Sequence, residues 1–173
     1  FSNGDKLTAE IAKESLERTF KLSNRAQSIF QYAEMKADGQ NLIIKTKNPT
    51  PSLPGMLADP LFIIIDTKVK DRDIKKEGPI CTGPYAVKTY SKAKAVMVAN
   101  PNYWDGAVPF KNAEIPTIDD PNTRAMALQK GEIDFAINIA AGDLQLFKDK
   151  AKYNISEIAS LRTVLAQINM NEG

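Results

Sequence analysis

The alternation of apolar and polar residues is clearest at the start of the chain. Ala12, Leu16 and Phe20 recur at i, i+4 and i+8, while Glu10, Lys13, Glu14, Glu17 and Arg18 fall largely off that stripe. This period predicts an amphipathic helix over Ala9–Leu22, with Thr8 as its N-cap and Asn3-Gly4-Asp5 as the turn before it. Residues 24–31 predict a second, shorter helix. Strand-like residues 32–37 and 42–46 flank Asp38-Gly39, a pair suited to the positive backbone angles of a tight turn, so a hairpin is predicted. Pro49, Pro51 and Pro54 break the chain before a short helical turn around residues 55–58. Residues 61–65 are apolar throughout and rich in β-branched side chains, which predicts a buried strand.

Between residues 66 and 77, nine of twelve side chains are charged, five basic and four acidic. The signs alternate and cancel, so the segment reads as a solvated connector between two lobes and not as a basic groove. Beyond it, strands are predicted at 85–91, 96–99 and 113–118. Asp120 is placed to cap a helix that has Pro121 at its first position and Gly131 just past its end. A strand at 133–137, a helix at 140–150 and strands at 154–158 and 164–169 complete the pattern. Strand–helix–strand order with short connections predicts a mixed α/β fold.

Composition narrows the chemistry. The 173 residues carry 23 Lys plus Arg against 21 Asp plus Glu, a formal charge of +2 with no concentrated basic excess, which argues against a nucleic-acid partner. There is no histidine, so the chain offers neither a Ser-His-Asp or Cys-His arrangement nor an imidazole metal ligand. The single cysteine, Cys81, excludes an intrachain disulfide and a CxxC pair. Its neighbours Pro79, Ile80, Gly83 and Pro84 favour a packed small residue over a reactive thiol. No apolar run approaches the length of a membrane span. The chain starts at Phe1 and stops at Gly173, directly after a strand-like run, and both ends read as cut from something longer.

Candidate sites mostly fail on spacing. Gly78 and Gly83 have the glycine spacing of a phosphate loop, but Pro84 and Tyr85 stand where Lys and Ser/Thr are needed. Glu132 and Asp134, two apart in a strand pattern, form a carboxylate pair on one face; a helix-to-strand turn with a solvated Glu132 explains them better. Asp119 and Asp120 lack the calcium-loop pattern, and capping accounts for Asp120. Tyr103-Trp104 reads as the aromatic anchor of a turn in preference to a stacking platform. No enzymatic constellation or cofactor motif survives.

Several segments taken in order resemble one family, the family 5 extracellular solute-binding proteins of ABC importers, which take up peptides or nickel. Phe1-Ser2-Asn3-Gly4 with Leu7-Thr8-Ala9-Glu10 resembles the family's F-x-x-G-x-x-x-x-A-[ED] segment. Gly78-Pro79-Ile80-Cys81-Thr82-Gly83-Pro84-Tyr85 resembles its G-T-G-P-[YFW] loop, with Cys81 replacing the usual Gly. Asn100-Pro101-Asn102-Tyr103-Trp104-Asp105-Gly106 resembles N-x-x-Y-W. Asp120, Thr123-Arg124, Ala127-Leu128 and Gly131-Glu132-Ile133-Asp134 resemble I-x-D-x-x-T-R-x-x-A-L-x-x-G-E-I-D. Residues 165–171 resemble a crossing strand that ends in L-x-[FL]-N.

The resemblance implies an internal fragment, with two incomplete lobes, of a type II periplasmic-binding-protein-like fold. Residues 1–77 would belong to a small extra domain and 78–173 to the main ligand-binding lobe leading to the hinge. The implied task is capture of short peptides for import by closure of two lobes, without catalysis or cofactor, a nickel chelate being the alternative ligand. A non-transport peptide sensor is the alternative from another class, and a small hydrolase would rest on Glu132 and Asp134 alone. Implied partners are ABC permease subunits outside the cytoplasm, with membrane association only through an N-terminal lipid anchor that lies outside this chain.

Implied ligand-binding positions are Asp59, Leu61, Asn138, Asn169 and Asn171. Chelate-binding relatives carry an Arg before the Pro of the loop at 57–62. Here Asp59 precedes Pro60, a reversed sign that suits a ligand ammonium, such as a peptide N-terminus, and disfavours a carboxylate-rich chelate. A capping role for Asp59 is the competing reading. Asn138 ends a predicted strand, and Asn169 and Asn171 lie on the crossing strand, where polar strand ends facing water are an equal account.

Overall fold

The computed structural model describes residues 1–158, which divide into two compact units, Phe1–Thr117 and the residues from Ile118 onward. In the first unit, α1 (Ala9–Leu22) begins where Thr8 Oγ1 accepts the Ile11 N–H, and α2 (Asn24–Ile29) begins where Ser23 accepts that of Ala26. Both caps satisfy backbone donors that a helix start leaves free. The stripe on α1 carries Leu16 and Phe20 into a core with Ala26, Phe30, Met35 and Phe62. Phe20 sits at the centre, with ring centroids 5.0 Å from Phe30, 4.9 Å from Tyr32 and 5.6 Å from Phe62. Edge-to-face and tilted arrangements of this kind add to the area that the rings bury.

The predicted hairpin is β1 (Tyr32–Asp38) paired antiparallel with β2 (Asn41–Thr46). Asp38 itself pairs with Asn41, so the two turn residues are Gly39 and Gln40, and Gly39, at φ +60, alone supplies the positive angle. The short helical turn is α3 (Leu53–Leu57). A second sheet of three antiparallel strands follows, ordered β3 (Tyr85–Tyr90), β4 (Lys94–Ala99) and β5 (Asn112–Pro116). It is preceded by α4 (Ile74–Glu77), a single turn that packs on β3.

The strand predicted at 61–65 does not form. Pro60–Phe62 is a short 3-10 helix capped by Asp59, and the only strand-like pairing of this segment among the described residues is one bridge between Ile65 and Cys81. Side chains explain why. Asp59 Oδ1 accepts the Leu61 N–H at 2.8 Å, while buried Ser15 Oγ accepts the Ile65 N–H at 3.0 Å and donates to the Ile63 carbonyl at 3.3 Å. Backbone groups satisfied this way need no neighbouring strand.

The segment 66–77 is less solvated than its charges suggest. Asp66 is buried, accepts from Asn3 Nδ2 and the Lys68 N–H, and its own N–H donates to the Ile80 carbonyl. Arg72 donates to the Gly78 and Glu77 carbonyls, both at 2.6 Å. Gly78 itself, at φ +71, leaves no room for a side chain: a Cβ there would lie 2.7 Å from Val87 Cγ1. That close approach, and not a phosphate loop, accounts for the glycine. The chain divides into its compact units at 117/118, and within the first of them bonds from Asp66 to Ile80 and from Ser2 to Cys81 span position 77/78.

The Asn-Pro-Asn-Tyr-Trp turn is anchored differently from expectation. Buried Asn100 donates to the Gly83 carbonyl at 2.8 Å and accepts the Asn102 N–H at 2.9 Å, whereas Trp104 is 78% exposed. A carboxamide, not the aromatic pair, ties this turn to the loop at 83–84.

In the second unit, α5 (Pro121–Lys130) has the predicted cap, Pro and Gly: Asp120 accepts the Thr123 N–H, and Gly131 closes the helix at φ +76. The predicted helix at 140–150 is a 3-10 helix, Ala141–Phe147. Residues 133–137 and 154–158 form no ladder. Alternation alone does not make a strand; it needs a hydrogen-bonded neighbour, and none lies beside these segments among the described residues. The strand predicted at 164–169 lies outside the described residues.

Candidate functional site

The loop at 57–62 holds two of the expected ligand positions. Asp59 is half-buried, and both of its carboxylate oxygens are engaged. Oδ1 caps the 3-10 helix through the Leu61 N–H, and Oδ2 pairs with Arg25 Nη2 at 3.0 Å. The capping reading of Asp59 is therefore what the structure shows, joined by an ion pair that local sequence did not suggest, since Arg25 lies 34 residues away on α2. The local charge is balanced, and the Arg25 side chain stays 70% exposed. Leu61 offers its backbone N–H to Asp59, and its side chain packs against the Phe20–Phe62 core.

In the second unit, Asn138 is exposed and stands at φ +56, the one non-glycine residue with positive φ among those described. Asn tolerates this region better than most residues, though still at a cost. The Asn138 carbonyl accepts from Arg124 Nη2 at 2.8 Å. Arg124 Nη1 donates to the Ile118 carbonyl at 2.6 Å and, more weakly, to that of Asp119 at 3.5 Å. One guanidinium thus ties the chain before α5 to the chain after it. The Thr-Arg pair was visible as a motif, but its bonding partner 14 residues on was not. Asn169 and Asn171 lie outside the described residues.

Reactive chemistry is scarce. Burial pushes the Cys81 thiol above its ordinary range, so little thiolate exists at neutral pH. Asp120 is held below the usual carboxylate range, first by the Thr123 backbone N–H and then by its hydroxyl, as expected of a cap. Glu132 lies within 3.8 Å of Lys130 on the surface. Among the described residues no three His, Cys, Asp or Glu side chains gather as a metal site, and no helix is long and apolar enough to cross a membrane. An open cleft of about 320 Å³ on the first unit is lined by Glu17, Phe20, Lys21, Phe30, Tyr32 and Lys47, among others.

Comparison with known proteins gives this arrangement a family. The chain is 31% identical over 170 residues to the nickel-binding protein NikA of Staphylococcus aureus, covering 98% of this chain and 34% of that protein. It is 27% identical over 180 residues to the probable D,D-dipeptide-binding periplasmic protein DdpA of Escherichia coli, covering 98% of this chain and 35% of the relative. Among solved structures, NikA of S. aureus in complex with Ni(L-His)2 superposes with a TM-score of 0.71 at 34% identity, over 76% of this chain and 28% of that one. The chain spans about a third of the length of the curated relatives it matches. Its mixed helix and strand content is that of a periplasmic-binding-protein-like fold. The model for the middle part of the bacterial extracellular solute-binding proteins, family 5, matches residues 1–173, and the chain belongs to that family.

Proposed function

We propose that the protein containing this chain captures a small solute outside the cytoplasm and delivers it to an ABC importer, holding it by enclosure without altering it. The observation that carries this reading is the family match along the entire chain. Enclosure needs no nucleophile; affinity comes from surface buried and hydrogen bonds made as two lobes close. The same proposal keeps the division of the whole protein into a small extra domain through residue 77 and a main lobe from residue 78. It also includes an N-terminal lipid anchor and ABC permease subunits as partners.

For the ligand, the reading taken first is a nickel ion wrapped in amino-acid chelators. By sequence alone, the reversed sign at Asp59 counts against a carboxylate-rich chelate. In the fold that charge is balanced by Arg25, an exposed side chain whose guanidinium suits a ligand carboxylate. The chain has no histidine, so within it such a cargo is held through the polar groups of its chelator. A short peptide is the second reading, favoured by the similarity to DdpA along 98% of the chain. Asp59, Leu61, Asn138, Asn169 and Asn171 are the proposed contact positions.

Isothermal calorimetry on the longest natural form separates these. Saturable heat with Ni(II) premixed with two equivalents of L-histidine, and none with a dipeptide pool, is expected. Heat only with dipeptides moves the ligand to the second reading, and heat with neither overturns solute capture. Loss of nickel or peptide uptake on gene deletion distinguishes import from sensing.

A further inference from the structure

Three locally unfavourable features lie in and around the segment that follows α5. Asn138 holds a left-handed backbone. Arg124 Nε is buried with no hydrogen-bond partner among the described residues, although both terminal nitrogens of that guanidinium are bonded. Asp143 Oδ2 is likewise buried and unpartnered. Each costs stability, and such costs mark places held for function. The strand predicted at 133–137 also fails here, leaving Phe135 80% and Ile137 63% exposed.

From this we infer that Arg124 is a positioning residue for Asn138: by bonding carbonyls on both sides of α5 it holds residue 138 left-handed and so sets the direction in which the Asn138 carboxamide meets a ligand. The inference rests on the proposed contact role of Asn138. The geometry is specific to a planar fork. Nη1 reaches Ile118 while Nη2 reaches Asn138, at 2.6 and 2.8 Å, so two chain segments are fixed by one rigid group. A lysine has the charge but presents a single ammonium, and cannot hold both carbonyls in the same geometry. The rest of α5 supplies a stable base, since Asp120 and Gly131 close both of its ends. Aside from Arg124, the charged groups nearest Asn138 in sequence are Glu132, Asp134 and Asp143, and no titration is invoked for any of them.

The test uses the longest natural form with R124K, R124M, N138A, N138G and selected double variants. Ni(II) with two equivalents of L-histidine and a dipeptide pool serve as probes. R124M and R124K are expected to weaken binding of the active probe by about fivefold or more, while R124M in the N138A background adds little, because residues acting as one unit are not additive. Equal loss from R124M in both backgrounds, or wild-type binding by R124K, overturns the inference. Melting midpoints form a second arm. Glycine takes a left-handed backbone without steric cost, so N138G is expected to raise the midpoint with Arg124 present and not with R124M. Equal shifts in both backgrounds overturn the lock itself. Wild-type affinity in N138A, with the stability coupling intact, overturns the contact role of Asn138 alone.

Discussion

The side chains buried in residues 1–117 include Phe1, Ile11, Leu16, Phe20, Phe30, Met35, Phe62 and Ile65; those buried among described residues from 118 onward are Ala125, Ala127 and Phe147. The first unit coheres through an aromatic core whose parts come from two helices, a hairpin and a 3-10 turn. The second depends far more on directional bonds: a carboxylate cap, a left-handed closing glycine and one arginine bonded to loop carbonyls. Hydrophobic burial tolerates small shifts of its parts, because it scales with area and has no preferred direction. Hydrogen bonds to fixed carbonyls do not. A unit built mainly on the latter has its backbone geometry specified at a few points, which suits the presentation of a polar group to a ligand.

The contrast is broken most severely by Phe20→Ala. Removing the ring at the centre of the cluster is expected to destabilise the first unit by about 3–5 kcal/mol, read from a urea denaturation midpoint. A cost near that of a surface substitution would show that the core lies elsewhere. Gly78→Ala comes next, at roughly 2–3 kcal/mol, because the new methyl meets Val87 and the backbone sits at positive φ. If thermal melting leaves it unchanged, the close approach of 78 to 87 is wrong.

Ser15→Ala tests the polar exception inside the apolar unit. It strands the Ile65 N–H and the Ile63 carbonyl, for a loss of about 1–2 kcal/mol. Hydrogen exchange at the Ile65 amide should accelerate with it; unchanged protection would mean that another acceptor is present.

The cap of the second unit is read by pH. The Asp120 carboxyl is held below its ordinary value in the folded state, so its contribution is fully present above the unfolded carboxylate pKa, about 4. It is lost as pH falls through the lowered folded value. The stability gap between wild type and Asp120→Ala should therefore be constant at neutral pH and close in acid. A gap that persists at pH 2 would mean that the charge is not what caps α5. The smallest effect is expected from Arg25→Ala. Exposed ion pairs contribute roughly 0–1 kcal/mol, so melting should barely move, while chelate affinity falls if Arg25 faces the ligand.

Much of the helical structure was legible in sequence. The period of Ala12, Leu16 and Phe20 with Thr8 ahead of it, and the Asp120-Pro121…Gly131 frame, each carry start and stop signals within a few residues of the helix they define. The hairpin was legible for the same reason, apart from which two residues form its turn. The predicted segments that failed share one cause. Residues 61–65 and 133–137 have strand composition, but whether an apolar stretch becomes a strand depends on what satisfies its backbone, and that partner is remote in sequence. For 61–65 the remote partner is Ser15, some 50 residues away, joined by the local cap from Asp59; for 133–137 no ladder is available among the described residues.

The candidate site divides along the same line. Chemistry that depends on residue type alone was set by the chain itself: no histidine, one cysteine, near-neutral charge, and the ordered motifs that lead to family 5. Charge at a point in space was not. Asp59 reads in sequence as a cap or as a carboxylate open to a ligand, and becomes half of a balanced pair only when α2 brings Arg25 to 3.0 Å. Asn138 reads as a polar strand end and becomes a left-handed turn residue only when Arg124 reaches back to its carbonyl. Local sequence encodes periodicity and capping because those interactions span a few residues; tertiary structure decides electrostatic balance and backbone strain because they are sums over neighbours that the chain order does not reveal.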